Sequence, residues 1–212
     1  MSENILIHAG LAVIKLTGTL FGTRSIPNRI YATMILKDRQ CSLILKELCH
    51  HQNTEKQSRL AIRNMTMASL MLYAGLRTTE VVNLIVSDLI NADKPVGTLS
   101  IIRGIPRGHK GRLVDVSDIL LYYLDKMNEW WWRPDAGKIG NFAFYNREPL
   151  KHITATQFRR IIRQAGINAL GYSIKPNILR RTCAARLLQK TDRQMVQHLL
   201  DYRTDQDSFF YR

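Results

Sequence analysis

The sequence predicts an α+β protein that is mostly helical and carries one small antiparallel sheet. Two observations predict this class. Apolar residues recur with a helical period through most of the chain from residue 35 onward. The period changes once, where the β-type runs GTLSIIRG and GRLVDVS flank the basic segment IPRGHK and so indicate a β-hairpin. With 212 residues, 45% of them hydrophobic, the chain is long enough to bury one core.

The N-terminal segment is predicted to be one amphipathic helix over residues 1–22, followed by a linker-like break over 22–28. His8 and Lys15 interrupt its apolar run, and no basic segment precedes it. We therefore expect neither a signal peptide nor a membrane span. The predicted organisation is a helical extension, 1–34, and a main domain, 35–212.

The first helices of the main domain follow from apolar spacing. The segment LKDRQCSLILKEL predicts a helix. Its buried side is expected to carry Cys41, Leu43, Ile44 and Leu48. RLAIRNMTMASLMLYAGL predicts a strongly apolar helix that ends near Gly75. TTEVVNLIVSDL predicts one further helix, capped by Thr78 or Thr79, with Glu80 in the first turn, where a carboxylate is favoured.

Helical patterns return after the hairpin. DILLYYLDKMNEWWW predicts a helix with an aromatic end, whose tryptophans we expect mainly to pack. NFAFYN predicts a short extended piece, and TATQFRRIIRQAGI a helix with an arginine-rich face that ends at Gly166. Pro176 opens the helix NILRRTCAARLLQ. The last helices are predicted to run from Asp192 to the terminus.

The charge balance indicates a polyanionic partner. The chain has 31 Lys and Arg against 17 Asp and Glu, a formal net charge of +14 and a pI near 10.0. A field of this sign attracts phosphate backbones, although a generally basic protein would have the same totals. The arginines occur in clusters, which favours nucleic acid. The candidate DNA-binding residues are Arg103, Arg107, His109, Arg112, Arg159, Arg160 and Arg163.

The cysteines indicate neither a disulfide framework nor a metal site. Cys41, Cys49 and Cys183 form no CxxC pair and no Cys/His spacing typical of zinc. This pattern fits a reduced, cytoplasmic compartment. We expect no cofactor and no metal.

Four segments resemble, in order, the motifs of the tyrosine recombinase and integrase family. AGLRTTEVVNLIVSDL resembles the box that reads Thr-Gly-Leu-Arg, two variable residues and Glu. GHKGRLVDV resembles the Gly-Lys-Gly-x-Lys-x-Arg stretch, and NILRRTCAARLL the His-x-Leu-Arg-His-Thr box. LLDYRTDQDSFFY resembles the terminal Leu-Gly-His-x(8)-Tyr segment. The resemblance covers about residues 36–212 and implies the family's catalytic-domain fold.

The resemblance implies a role for each matched residue. Tyr211 falls on the nucleophile, and Lys110 on the general acid that protonates the leaving 5′ oxygen. Arg77 and Arg180 fall on the arginines that bind the scissile phosphate. Tyr202 takes the His/Trp position nine residues before the nucleophile, and Asn177 takes a histidine position. The supporting residues are Glu80 and Arg181.

The expected chemistry requires residues of these types. A tyrosine oxygen that attacks a phosphodiester passes through a pentacoordinate state with added negative charge, which preorganised arginines stabilise. A guanidinium binds phosphate at two points and keeps its charge. Since the phosphotyrosyl link retains the bond energy, neither ATP nor metal is needed. Taken singly, each residue also has a structural interpretation: Arg77 could pair with Asp88, Lys110 could be a solvated charge, and Tyr211 a core aromatic.

The sequence departs from the family pattern in two ways. Asn177 and Tyr202 can donate hydrogen bonds, but an asparagine cannot carry protons. This predicts a slower or more specialised enzyme. Only about 35 residues precede the catalytic pattern, and one residue follows Tyr211. We therefore expect a minimal member without the usual DNA-clamping domain or docking tail.

Three functions are compatible with these observations. The first is a minimal recombinase or integrase of a mobile element, which cuts and rejoins DNA through a 3′-phosphotyrosyl intermediate. The second is a relaxase of the same fold, which nicks a plasmid origin of transfer for mobilisation. The third is a DNA-binding relic without activity. The expected partner is double-stranded DNA with a specific site, with room for an accessory DNA-binding protein. We expect a monomer in solution or a weak oligomer on DNA, and no membrane contact.

Overall fold

The structure, a computed structural model, describes residues 34–49, 54–105, 111–133, 140–146 and 148–202. Several predicted features lie outside these residues: the helix over 1–22, the hairpin tip with Arg107, His109 and Lys110, and the terminal segment with Tyr211. The roles predicted for these features stay predictions.

The described part of the chain is mostly helical. The helices are α1 Asp38–Leu48, α2 Glu55–Tyr73, α3 Thr78–Asn83, α4 Val86–Leu89, α5 Asp118–Met127, α6 Ala155–Leu170, α7 Pro176–Leu188 and α8 Arg193–Leu200. A π-helical turn, Asn128–Trp132, continues α5. The strands are β1 Ile90–Asn91, β2 Lys94–Pro95, β3 Thr98–Ile101 and β4 Arg112–Asp115. This confirms the predicted class.

The sheet structure consists of two antiparallel pairs. β3 and β4 form the predicted hairpin, with Thr98 opposite Asp115 and Ile101 opposite Arg112. β1 and β2 form a second pair that the sequence did not predict. Each of its strands has two residues, which is too short for an alternating pattern to be visible. Its turn residues, Ala92 and Asp93, have φ of 46° and 61°, as in a type I′ turn.

Helix α2 is central in the fold and packs against α1, α3, α5, α6 and α7. Because neighbours surround it, its buried residues include Ala61, Met67, Ala68, Leu70, Met71 and Leu72. Helix α8 docks on α7 through a smaller cluster formed by Ala184, Val196 and Leu200. None of the helices in the described ranges is both long enough and apolar enough to cross a membrane.

The predicted helix over residues 78–89 is wrong as a single element. It breaks at Leu84, whose backbone is extended, and resumes as α4. The carbonyl of Leu84 accepts a hydrogen bond from the amide of Ala143 at 2.8 Å, and Ile85 forms a bridge with Phe142. Pairing with a distant segment therefore replaces the helical hydrogen bonds that local propensity favours.

Gly75 and Gly171 end helices, and the sequence predicted the first of them but placed the second helix end at Gly166. Gly75, at φ +63°, follows α2 as predicted. Gly166 lies inside α6, which continues to Leu170 and ends at Gly171, at φ +78°. A Cβ on Gly166 would lie 2.7 Å from Cγ1 of Ile174, so this glycine serves close packing and does not end the helix.

The side chains predicted to be buried in α1 and in the aromatic segment after α5 are buried, with one exception in each. In α1, Leu43 is exposed and Leu45 is buried instead. The aromatic end of α5 packs as predicted at Trp131 and Trp132, whereas Trp130 is partly exposed. The Trp132 indole donates a hydrogen bond to the carbonyl of Ala143 at 2.9 Å, which satisfies its buried N–H.

Gly104 provides a test of how the hairpin is fixed to the helices. It has φ +66°, and a Cβ there would lie 2.2 Å from the carbonyl oxygen of Thr79. We expect Gly104→Ala to lower the free energy of unfolding by about 2 kcal/mol or more, because strain and a backbone clash add. Gly97→Ala is the control, since nothing lies within 4 Å of its added Cβ. Urea denaturation measures both, and equal losses in the two variants would contradict this account.

Candidate active site

A buried carboxylate organises the candidate site. Glu80 is 0% exposed and lies in the first turn of α3. Its Oε2 accepts a hydrogen bond from the backbone amide of Arg77 at 2.6 Å, and its Oε1 accepts one from Nη1 of Arg77 at 2.8 Å. Arg77 is therefore the N-cap residue, and the predicted cap by Thr78 or Thr79 is wrong.

Two further guanidinium groups converge on the same carboxylate. Arg112 of β4 donates from Nη1 to Oε1 of Glu80 at 2.7 Å and from Nη2 to Oε2 at 2.8 Å, a bidentate pair. Nη1 of Arg180 lies 3.7 Å from Oε2. Glu80 thus joins the start of α3, strand β4 and helix α7.

These contacts control the ionisation of Glu80. Burial by itself would raise the pKa of the carboxyl group. The hydrogen bonds and charge of Arg112, the amide of Arg77 and the charge of Arg180 outweigh burial and lower the pKa to about 2. Glu80 is therefore ionised throughout the neutral range and balances part of the arginine charge.

Arg180 is held by the ends of two other helices. Its side chain is 2% exposed, and burial lowers the pKa of its guanidinium. Nη1 donates to the carbonyl of Gly75 at 2.5 Å, and Nη2 donates to the carbonyl of Leu200. Its Cζ lies 4.9 Å from the ring centroid of Tyr202, a cation–π contact. The position of Arg180 therefore depends on α2, α7 and α8 together.

Arg77 is held from both sides of the site. Besides its bonds to Glu80, Nη1 donates to Oδ2 of Asp201 at 3.1 Å, and Nη2 donates to the backbone carbonyl of Asp201 at 2.5 Å. The side chain of Arg77 is 17% exposed. Its guanidinium thus has a fixed orientation and still reaches the surface.

A basic cleft of about 820 Å³ opens beside these residues. Its basic lining residues are Arg77, Arg159, Arg163, Lys175 and Arg180. Asn177 and Tyr202 also line it, and the described lining includes no acidic side chain. Such a cleft can bind a phosphodiester backbone, with the least exposed arginines at its base.

The structure brings all four of the predicted catalytic residues that it describes into this one cleft. Arg77, Asn177, Arg180 and Tyr202 line it, although they come from distant parts of the sequence. Glu80 lies beneath it. Arg181, predicted as a supporting residue, is partly buried on α7 and is not part of the cleft lining.

The predicted DNA-binding residues separate into groups. Arg159 and Arg163 of α6 line the cleft, whereas Arg160 lines another cavity, beside Arg63. Arg103 is partly exposed and pairs with Asp88 at 2.6 Å.

Arg112, predicted to contact DNA, is not part of the described lining of the basic cleft, and its contact with DNA stays a prediction. Its side chain is 6% exposed, and both of its terminal nitrogens bind Glu80. These bonds fix strand β4 to Glu80 at the base of the site. Sequence spacing placed Arg112 on the hairpin but could not show on which side of β4 it lies.

Two residues at the site were not predicted from the sequence. Lys175 precedes α7 and lines the cleft. Asp201, directly before Tyr202, binds Arg77. The sequence did contain an indication for Asp201. The terminal motif that this segment resembles has glycine at this position, so the aspartate is a departure from the motif. Among the described residues, no group of three His, Cys, Asp or Glu side chains could hold a metal ion.

Comparison with solved structures defines the class of the fold. The fold is similar to that of the XerH site-specific recombinase bound to its difH substrate, with a TM-score of 0.64 and 20% identity over 84% of this chain and 49% of that one. The Tn1549 transposon integrase in complex with transposon right end DNA gives a TM-score of 0.64 and 14% identity over 85% and 62% of the two chains. The described domain therefore has the fold of a tyrosine recombinase catalytic domain.

The sequence comparison assigns the family. The model of the phage integrase family matches residues 36–211, and the chain belongs to this family. Tyrosine recombinase XerD of Oceanobacillus iheyensis is 28% identical over 173 residues, which cover 78% of this chain and 56% of the relative. The chain thus spans about half the length of the curated relatives that it matches.

The low pKa of Glu80 predicts how stability depends on pH. A carboxyl group whose pKa is about 2 in the folded state and about 4.3 in the unfolded state stabilises the fold above the unfolded value. This contribution, about 3 kcal/mol, is lost as the pH falls from about 5 towards 2. We expect Glu80→Gln to be less stable than wild type by about 3 kcal/mol at pH 7 and by much less near pH 2.

Denaturant unfolding at several pH values measures this difference. Glu129→Gln is the matched control, because Glu129 forms an exposed pair with Lys126. The control should stay within about 0.5 kcal/mol of wild type at every pH. A Glu80→Gln loss that does not shrink in acid would show that packing, and not ionisation, causes it.

Proposed function

We propose that this chain catalyses site-specific DNA strand breakage and rejoining as part of the recombination or integration of a mobile genetic element. The observation that carries the proposal is the pair of guanidinium groups, Arg77 and Arg180, fixed by buried bonds at one basic cleft. Membership of the phage integrase family supports it. So do the DNA substrates in the structures of XerH and the Tn1549 integrase, which have the same fold.

In the proposed reaction, Arg77 and Arg180 bind the nonbridging oxygens of the scissile phosphate. Buried hydrogen bonds set their orientation before DNA binds, which limits the reorganisation needed to stabilise the added negative charge of the pentacoordinate state. Asn177 and Tyr202 line the same cleft and can donate hydrogen bonds to the phosphate.

The covalent step involves residues outside the described ranges. The oxygen of Tyr211 attacks the phosphorus and forms a 3′-phosphotyrosyl bond, while the bond to the 5′ oxygen breaks. The tyrosine gives its proton to solvent water, and the leaving 5′ oxygen receives one from Lys110. The reverse reaction with a new 5′ hydroxyl rejoins the strand, and because one phosphoester bond replaces another, no external energy source is required.

The proposed DNA contacts extend from the scissile phosphate along the cleft. Arg159 and Arg163 are exposed on α6, and Lys175 is exposed at the start of α7. These residues suit backbone phosphates, which position a duplex without reading its sequence. Assembly into an oligomer on DNA, and an accessory DNA-binding protein, belong to this proposal, as does a cytoplasmic site of action, where the DNA substrate lies.

Covalent trapping tests the nucleophile. We expect wild-type protein, mixed with supercoiled DNA that carries its own gene and flanks and stopped with SDS, to form a protein–DNA adduct joined at the 3′ phosphate. Tyr211→Phe, which lacks only the attacking oxygen, should bind the DNA and form no adduct. Adducts in both proteins would exclude Tyr211 as the nucleophile.

The same adducts distinguish the proposed recombinase from a relaxase. Two staggered sites, one on each strand, together with exchange between two site-bearing plasmids, would support recombination. An adduct on one strand only, without exchange, would favour nicking for plasmid mobilisation. Tight binding without any adduct would favour a DNA-binding relic.

Adjacent arginines on α6 test the DNA path. Arg159 lines the cleft and Arg160 does not, yet both are exposed and have the same charge. We expect Arg159→Ala to weaken DNA binding and to reduce the slope of log K against log salt by about 1, because one phosphate contact is lost. Arg160→Ala, the control, should change the slope by much less. Fluorescence anisotropy measures the DNA affinity of both variants at several salt concentrations. Equal salt slopes for the two variants would show that the DNA does not follow this cleft.

A further inference from the structure

Asp201 occupies an unusual position at the end of α8. Its backbone is in the left-handed region, with φ +52° and ψ 51°, which glycine adopts most readily and which asparagine and aspartate also tolerate. It retains a carboxylate there, and that carboxylate binds Arg77. Glycine would satisfy this backbone without a carboxylate, so ending the helix does not by itself account for the side chain of Asp201.

The contact between Asp201 and Arg77 resembles the two-point contact that a phosphate makes with an arginine. Oδ2 of Asp201 accepts from Nη1, and its backbone oxygen accepts from Nη2, so two oxygens of one residue bind both terminal nitrogens of the guanidinium. A phosphodiester presents two oxygens in a similar way. Asp201 therefore interacts with Arg77 as the expected substrate would.

Charge and exposure distinguish Asp201 from Glu80. Glu80 is fully buried and receives hydrogen bonds from two arginines, whereas the side chain of Asp201 is 19% exposed and comes from a different element. The cluster of Arg77, Arg112 and Arg180 carries three positive charges, and Glu80 and Asp201 carry two negative ones. Removing the charge of Asp201 would raise the net charge of the cluster from +1 to +2.

We propose that the Asp201 carboxylate attenuates the binding of phosphate at Arg77, so that phosphate captured in the cleft must compete with it. This assignment rests on the proposed function and adds a specificity-determining residue to it. A protein with a net charge of +14 attracts any DNA. Asp201 lowers the affinity of the site for a single phosphate. Binding of DNA in the cleft therefore depends more strongly on the other contacts between the protein and the DNA.

Asparagine at position 201 isolates the charge. It is nearly isosteric, tolerates the left-handed backbone and keeps an oxygen that can accept from Nη1. Asp192→Asn is the matched control. Asp192 caps the opposite end of α8, where its Oδ1 accepts from the amide of Met195 at 2.8 Å, and asparagine caps equally well. The two variants change the net charge of the protein by the same amount.

The test is a calorimetric titration with inorganic phosphate. We expect Asp201→Asn to bind phosphate about tenfold more tightly than wild type, because a negative charge beside the binding group is removed. Asp192→Asn should change the dissociation constant by less than about twofold, since it lies about 13 Å along the helix. In an Arg77→Gln background, which lacks the cation, Asp201→Asn should give a much smaller gain, which ties the effect to Arg77.

Further variants separate attenuation from a purely structural role. Asp201→Gly accepts the backbone conformation and also removes the carboxylate, so it too should gain phosphate affinity. A structural role predicts the opposite, a loss of stability in urea and weaker phosphate binding in both variants. Unchanged or weaker binding by Asp201→Asn, or an equal gain by Asp192→Asn, would overturn the assignment.

The titration also separates this inference from the proposed function, because it does not involve Tyr211. If wild type forms no covalent adduct and Asp201→Asn still gains phosphate affinity, the catalytic proposal fails and the assignment of Asp201 stands. If wild type forms the Tyr211 adduct and Asp201→Asn gains nothing, the assignment of Asp201 fails alone.

Discussion

The ion cluster around Glu80 is the interaction on which the rest of the site depends. Guanidinium groups from the start of α3, from β4 and from α7 cannot lie this close together in a buried environment unless a carboxylate compensates them. Glu80 supplies that charge and caps α3 at the same time. The hairpin and the helices are therefore fixed to one another by electrostatics as well as by the apolar core around α2.

The site is assembled from the ends of elements more than from their faces. Arg77 precedes α3, Asp201 ends α8, and Arg180 donates to carbonyls at the ends of α2 and α8. Helix ends have carbonyl groups without helical partners, and arginine can satisfy several of them at once. The same bonds that complete the helices thus orient the charges towards the cleft.

The sequence predicted those features that depend on local periodicity and on motif order. Helices such as α2 and α7, the β3–β4 hairpin and the shared location of Arg77 and Arg180 were all predictable. The break at Leu84 and the helical position of Gly166 were not, because tertiary pairing and close packing decide them. The burial of Arg112 depends on the side of β4 that faces α3, which spacing alone does not determine.

The last turn of α8 has a consequence for how the parts of the site communicate. Its carbonyls at Leu200 and Asp201 accept hydrogen bonds from Arg180 and Arg77, and Tyr211 lies nine residues after Tyr202 in the sequence. A displacement of α8 by a few ångströms would release both arginines together. The docking of α8 on α7 thus sets the orientation of both phosphate-binding arginines, and α8 is the helix that precedes the predicted nucleophile in the sequence.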